Sequence, residues 1–148
     1  MITNSNEVYL KASIKEQLCQ KMLQAAILKA KELKQPMVIA ILDESAHLKV
    51  FHRMDGASLI SIEQAQNKAY TAITHPWGLS TNEIFQHIQE NSATKISIPH
   101  IPRYVMFDGG YVIKIDDEIV GSLGISGGST DQDALVAQAA LSQTKDIT

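Results

Sequence analysis

Gly124-Ile125-Ser126-Gly127-Gly128 has the G-x-S-x-G spacing of a nucleophile elbow, with a predicted strand before it and a predicted helix after it. A serine nucleophile needs a base, and the usual order of such elbows places the histidine later in the chain. His100 is the last histidine here, so the partner is missing and a hydrolase is disfavoured. The bland reading is a glycine-rich strand exit that lets backbone pack closely and leaves N–H groups exposed at the next helix. Those groups could hold a carboxylate or phosphate, but Asp131 and Asp133 already supply negative charge there.

The other candidates are histidines and cations. His47 and His52 fall on one predicted strand at an odd separation, so they face opposite sides and cannot share a metal without a bulge. No H-E-x-x-H or acidic cluster with ligand spacing occurs, which argues against a dedicated zinc site. A lone histidine can still be an axial ligand to haem iron. His75, His87 and His100 lie in or beside loops, where a ligand can approach; each is equally a surface or hydrogen-bonded side chain. No C-x-x-C-H is present, which excludes covalent haem attachment.

Arg53 could grip a carboxylate such as a haem propionate through its planar fork, or pair with Asp55 to fix the Asp55-Gly56 turn. Lys68 could snorkel or meet an anion. Asp108-Gly109-Gly110 permits close approach of a ligand or another chain, or simply makes a tight loop.

The elements that must position these groups follow from periodicity. Ser13 and Glu16 have capping-box spacing, and Ile14, Leu18, Met22 and Ala25 continue at helical spacing, predicting a helix over 13–34 that Pro36 ends. Residues 37–43 form an apolar run that reads as a strand buried on both faces, with 47–53 as its antiparallel partner. Ser61 with Gln64 is a second capping box, opening a helix whose Ala65, Ala69 and Ala72 suit close packing on a sheet, until Pro76 interrupts it. Ser80 with Glu83 starts a short helix carrying Ile84, Phe85 and Ile88. Residues 89–102 are expected to form a long irregular stretch, and such loops are often functional. Strands are predicted at 111–115 and 119–126, with a further one at 103–107. Thr130 with Asp133 is expected to cap a final helix ending near Ser142. A helix followed by a β-hairpin argues for an α+β fold with an antiparallel sheet.

The 148 residues, 45% of them hydrophobic, make one domain, expected over 10–148 behind a loose arm at 1–9. A net charge of −3 without a basic block argues against nucleic acid or anionic membrane as partners. A single cysteine, Cys19, excludes an intramolecular disulfide framework. No run of eighteen apolar residues occurs, and the polar N-terminus has no signal-peptide pattern, so a cytoplasmic location is expected.

Phe51-His-Arg-Met-Asp-Gly-Ala57, then Ser61-Ile with Ala65 and Asn67-Lys-Ala-Tyr-Thr-Ala72, resembles the haem-binding family that includes GlcG, HbpS and the C-terminal domain of PduO. Gly109-Gly110, Ile119-Val-Gly-Ser-Leu-Gly-Ile-Ser-Gly-Gly128 and Asp131-Gln-Asp133 match its later blocks in order, so the resemblance spans residues 12–142. The stretches at 52–57 and 67–72 are most similar to the PduO C-terminal type.

The resemblance implies a profilin-like α+β fold, with a central antiparallel sheet of about five strands flanked by helices. It also implies homo-oligomers that bind haem or a related tetrapyrrole non-covalently, without catalysis, with corrinoid as a second ligand and a role accessory to cobalamin-dependent metabolism. The candidate cofactor-binding residues, chosen from their own chemistry, are Arg53, Asp55, Lys68, His100, Gly109, Gly110 and Tyr111. On the haem-binding hypothesis Arg53 and Lys68 would meet propionates, while Tyr111 or a loop histidine, with His100 the first choice, would approach the ring or iron. The alternatives are a haem-degrading or small-molecule enzyme using the same pocket, and a structural module without cofactor.

Overall fold

The computed structural model describes residues 6–145 and 147. Of the expected arm, residues 1–5 lie outside the described residues, and 6–9 run as turn and coil on the surface. The elements are α1 (Glu16–Glu32), β1 (Val38–Asp43), β2 (Leu48–Arg53), α2 (Ser61–Thr74), α3 (Thr81–Ile88) and α4 (Ser92–Ser97). A 3-10 turn at Ile98–His100 follows, then β3 (Gly110–Ile115), β4 (Glu118–Ser126) and α5 (Thr130–Leu141), with a last 3-10 turn at Ser142–Thr144. The strands form one antiparallel sheet in the order β2-β1-β4-β3.

Strand β1 is buried on both faces, as its unbroken apolar run requires. Ile39 and Ile41 face the main core with Met22, Ala26, Val136 and Ala140 of α1 and α5. Val38 and Ala40 point the other way, toward Ala65 of α2. Helix α2 rides very close to β4: a Cβ built on Gly124 would lie 1.8 Å from the Ala65 carbonyl oxygen. The alanines at 65, 69 and 72 allow this approach, and all three are fully buried. Asp116 and Asp117, both at positive φ, make the two-residue turn that joins β3 to β4.

Five expectations need correction. The sheet has four strands, because 103–107 is not one of them. Arg103 sits at φ 68°, and the Val105 N–H donates to the Thr71 hydroxyl of α2 at 2.9 Å instead of to a strand ladder. Residues 89–102 are not irregular: Asn91 caps α4 by accepting from the Ala93 and Thr94 N–H groups, and Pro99 sits in the 3-10 turn. Helix α1 begins at Glu16 without a side-chain cap, because Ile14 is drawn onto β4 by its N–H bond to the Val120 carbonyl at 2.9 Å. Of the other three capping boxes, Ser80–Glu83 forms, Ser61 instead shares a hydrogen bond with Ser58, and α5 is capped one residue early by Ser129 with Gln132.

Candidate functional site: a cleft walled by residues 104–108

The segment 104–108 is held off the sheet by two buried threonines. Thr71 of α2 accepts from Val105 N–H at 2.9 Å, and Thr81 of α3 donates to the Phe107 carbonyl at 2.9 Å while accepting from Gly110 N–H at 3.1 Å. So pinned, the segment becomes one wall of a cleft of about 690 Å³, closed by Phe85 and Asn82 of α3, Gln64 of α2 and the start of α5. That volume lies within the range of ligand pockets, ~300–1,000 Å³. Phe85, Val105, Met106 and Phe107 make it apolar, and Asp108 and Asp131 mark its polar border. A smaller bay of about 330 Å³ adjoins it, sharing Gln64, Phe107 and Thr130 and reaching Ser126, Gly127 and Gly128. Gln64 Oε1 is buried between these spaces without a hydrogen-bond partner, an acceptor available to a ligand donor.

Lys68 lies behind the wall and is fully buried. Its ammonium donates to Asp133 Oδ2 at 2.6 Å and to the Ile125 carbonyl at 2.9 Å, and it sits 4.6 Å from the centre of the Phe107 ring. Burial pulls the Lys68 amine below its ordinary value, and Asp133 opposes that pull. Gly109 must be glycine: its φ is +122°, and a Cβ there would lie 2.8 Å from Lys68 Nζ. Asp108 accepts from the Gly109 N–H at 2.7 Å and from the Tyr111 hydroxyl at 2.5 Å. Burial, then this carboxylate, pushes the Tyr111 phenol far above its ordinary range.

The structure therefore brings Gly109 and Gly110 against Lys68 and its buried charge pair, packs Tyr111 against the main core with its hydroxyl on Asp108, and sets the others apart. Arg53 and Asp55 are exposed at the end of edge strand β2, and no ion pair joins them among the described residues. His100 is exposed on its 3-10 turn and is not part of the cleft lining. Ser126 is buried at the end of β4, in a bay whose lining holds no histidine among the described residues. Nor do the described residues gather three or more His, Cys, Asp or Glu side chains able to hold a metal ion.

The sequence offered His75 and His87 as loop histidines that a ligand can approach, but it did not single out their partners Tyr104 and Trp77, or Arg103. His75 is 7% exposed, with Nδ1 3.0 Å from the Tyr104 hydroxyl and Nε2 buried without a partner. Its ring meets Trp77 edge-on at 4.7 Å, and Trp77 in turn meets His87 at 4.4 Å. Burial, with His87 adding to it, lowers the His75 pKa. The Arg103 guanidinium stacks on the Tyr70 ring at 3.8 Å and donates from Nε to Asn67 Oδ1 at 3.2 Å. The sequence signal for this second group was the block Asn67 to Ala72, whose Asn67, Tyr70 and Thr71 all hold Arg103 or its neighbours.

The family model described as "Haem degrading protein HbpS-like" matches residues 14–142. The chain belongs to the HbpS-like family. An uncharacterised 15.0 kDa protein of the dhaT-dhaS intergenic region of Citrobacter freundii is 34% identical over 131 residues, covering 88% of this chain and 91% of that protein. The corrinoid adenosyltransferase PduO of the same organism is 35% identical over 130 residues, covering 87% of this chain. The match takes in 38% of PduO, so the likeness is to one part of that protein. Among solved structures, a PduOC–haem complex superposes with a TM-score of 0.81 at 30% identity, over 90% of this chain and 96% of that one. The expected resemblance to the GlcG, HbpS and PduO proteins and the α+β class both hold, with one strand fewer in the sheet.

Proposed function

We propose that this HbpS-like chain binds haem, or a closely related tetrapyrrole, non-covalently in the cleft walled by residues 104–108. The observation that carries the proposal is the apolar lining of Phe85, Val105, Met106 and Phe107, set beside the buried, unpartnered Gln64 Oε1. Flat macrocycles bury apolar faces and keep a polar edge, and this lining has that division. Two lining side chains carry atoms that ligate haem iron in proteins, the Met106 thioether and the Tyr104 phenol. The bound haem would supply an iron centre with an open or exchangeable position. The chain's own residues would exclude water and orient the ring.

The role proposed is carriage by a homo-oligomer without catalysis. Leu59 and Ile60, 76% and 72% exposed, the second lining the smaller bay, support association with further copies. The likeness to part of PduO supports a role accessory to corrinoid metabolism, with a corrinoid as an alternative ligand. A cytoplasmic location is proposed with it; no helix among the described residues is long and apolar enough to cross a membrane.

Haem degradation is the second reading, favoured by the description of the matching family. It needs a proton donor at the ring, and Asp108 is committed to Gly109 and Tyr111. Hemin titration of the purified protein should give a saturable, shifted Soret band. The band should then persist under ascorbate in air. Its loss with release of iron would establish the enzyme, and a spectrum identical to free hemin would overturn the proposal.

A further inference from the structure

We infer that Arg103 is the carboxylate anchor of this cleft, and that it makes the site selective for macrocycles with free peripheral carboxylates over amidated ones. The inference rests on the haem reading above and names what that site would recognise. The guanidinium carbon lies 3.8 Å over the centre of the Tyr70 ring, and the Nε bond to Asn67 Oδ1 at 3.2 Å holds the group from a second side. Both contacts leave the two terminal amino groups, the pair that grips a carboxylate bidentately, without a partner among the described residues. The side chain is exposed, so an arriving anion can reach it.

The backbone is arranged to the same end. Arg103 lies at φ 68°, a conformation that residues other than glycine seldom adopt. Thr71 holds it there, with its hydroxyl 3.2 Å from the Arg103 carbonyl and 2.9 Å from the Val105 N–H. Strain kept in place by a buried group marks positions where a side chain must be aimed. Arg103 is not itself in the cleft lining but borders it: the next two residues, Tyr104 and Val105, line it, and so does Gln64, one turn before its partner Asn67 on α2.

The surrounding charges favour this assignment. Lys68, expected from the sequence to meet a propionate, is spent on Asp133 behind the wall. Neither Arg53 nor the residues next to it line the cleft, whereas Tyr104 and Val105, which follow Arg103, do. At the cleft itself Asp108 and Asp131 repel carboxylates, so an anionic edge would turn toward the Arg103 end. A corrin whose peripheral carboxyls are amidated gives this fork nothing to pair with.

The test compares hemin, hemin dimethyl ester and dicyanocobinamide as probes against wild type, Arg103→Gln and Arg103→Lys, each first checked for native circular dichroism and melting. Arg103→Gln should weaken hemin binding about tenfold and leave the diester and the cobinamide unchanged. Arg103→Lys should keep only part of the hemin affinity, because an ammonium lacks the planar fork. Hemin binding to Arg103→Gln that equals wild type would overturn the inference and leave the haem reading standing. Wild type that binds hemin no better than the diester would overturn it too. Failure of wild type to bind any tetrapyrrole would instead sink the haem reading, and this inference with it.

Discussion

The Lys68 ammonium and the Asp133 carboxylate meet at 2.6 Å where α2, the end of β4 and the start of α5 converge, and neither side chain reaches solvent. The pair is well satisfied: Asp133 also accepts from the Gly128 N–H at 2.9 Å, and Lys68 donates to the Ile125 carbonyl. Burial works against the charges of both partners, lowering the lysine pKa and raising the aspartate's. Removing one partner leaves the other charged and buried. Lys68→Met or Asp133→Leu alone should therefore cost about 3–5 kcal/mol in urea unfolding, and the double variant should recover most of the loss. Single variants within about 1 kcal/mol of wild type would show that the pair holds nothing together.

Gly124 is where helix and sheet come closest. A methyl group there would meet Ala65 and Ala69 backbone, at 1.8 Å from an oxygen and 2.8 Å from a nitrogen. Backbone cannot rotate aside as a side chain would, so Gly124→Ala must push α2 off β4. A loss of about 3 kcal/mol, the upper end for overpacking, is expected from chemical denaturation. Gly56, whose nearest neighbour to an added Cβ is a Pro36 side-chain atom at 3.5 Å, is the control for the cost of a positive φ alone. A smaller loss at Gly124 than at Gly56 would refute the packing argument.

His75 gives the fold a pH dependence. Its folded pKa lies below the ordinary 6.5, because burial and then His87 disfavour the imidazolium. The unfolded chain therefore takes up this proton first as pH falls. The stability contributed is fully present above 6.5 and is lost as pH drops from there toward the folded value. Unfolding free energies of wild type and His75→Phe between neutral and mildly acidic pH isolate the effect. Wild type should lose more than the variant on acidification; parallel profiles would rule this histidine out as the cause.

The start of α5 shows how far the residues alone could be read. Thr130 with Asp133 and Ser129 with Gln132 have the same spacing, but only the second has the longer Gln side chain that reaches back to the cap N–H. Lys68, sixty-five residues from Asp133, reinforces that choice by claiming the aspartate carboxylate. Ser129→Ala should thus cost about 1 kcal/mol in thermal or urea unfolding, and Thr130→Ala much less. The reverse order would mean that the sequence reading of the cap was right.

The same distinction separates what was legible from what was not. Strand β1 could be read from its unbroken apolar run and β2 from its alternation, and α2 because its alanines repeat at helical spacing. Segment 103–107 could not, because its short apolar run is that of a strand while its backbone partners are the side chains of Thr71 and Thr81, far off in the chain. Misplacing it hid the cleft it walls, and with it Arg103, Met106 and Phe107. Lys68, Gly109 and Gly110 were found for their chemistry, yet their shared role as a buried support depends on a contact with Asp133 that periodicity does not encode.

The iron ligand is the sharpest remaining distinction between residues singled out by type and residues brought together by the fold. His100 has the stronger donor, but it stands exposed on the 3-10 turn, outside the lining, whereas the Met106 thioether lies in the wall. If hemin enters the cleft, Met106→Leu keeps the volume and apolarity of that wall while removing the sulfur. It should shift the visible spectrum of the complex with little change in affinity, since most of the binding comes from buried apolar surface and the carboxylate edge. His100→Ala should leave spectrum and affinity as in wild type. A Met106→Leu complex with an unaltered spectrum, beside a His100→Ala complex that loses the shift, would move the iron out of this cleft and onto the turn at Ile98–His100.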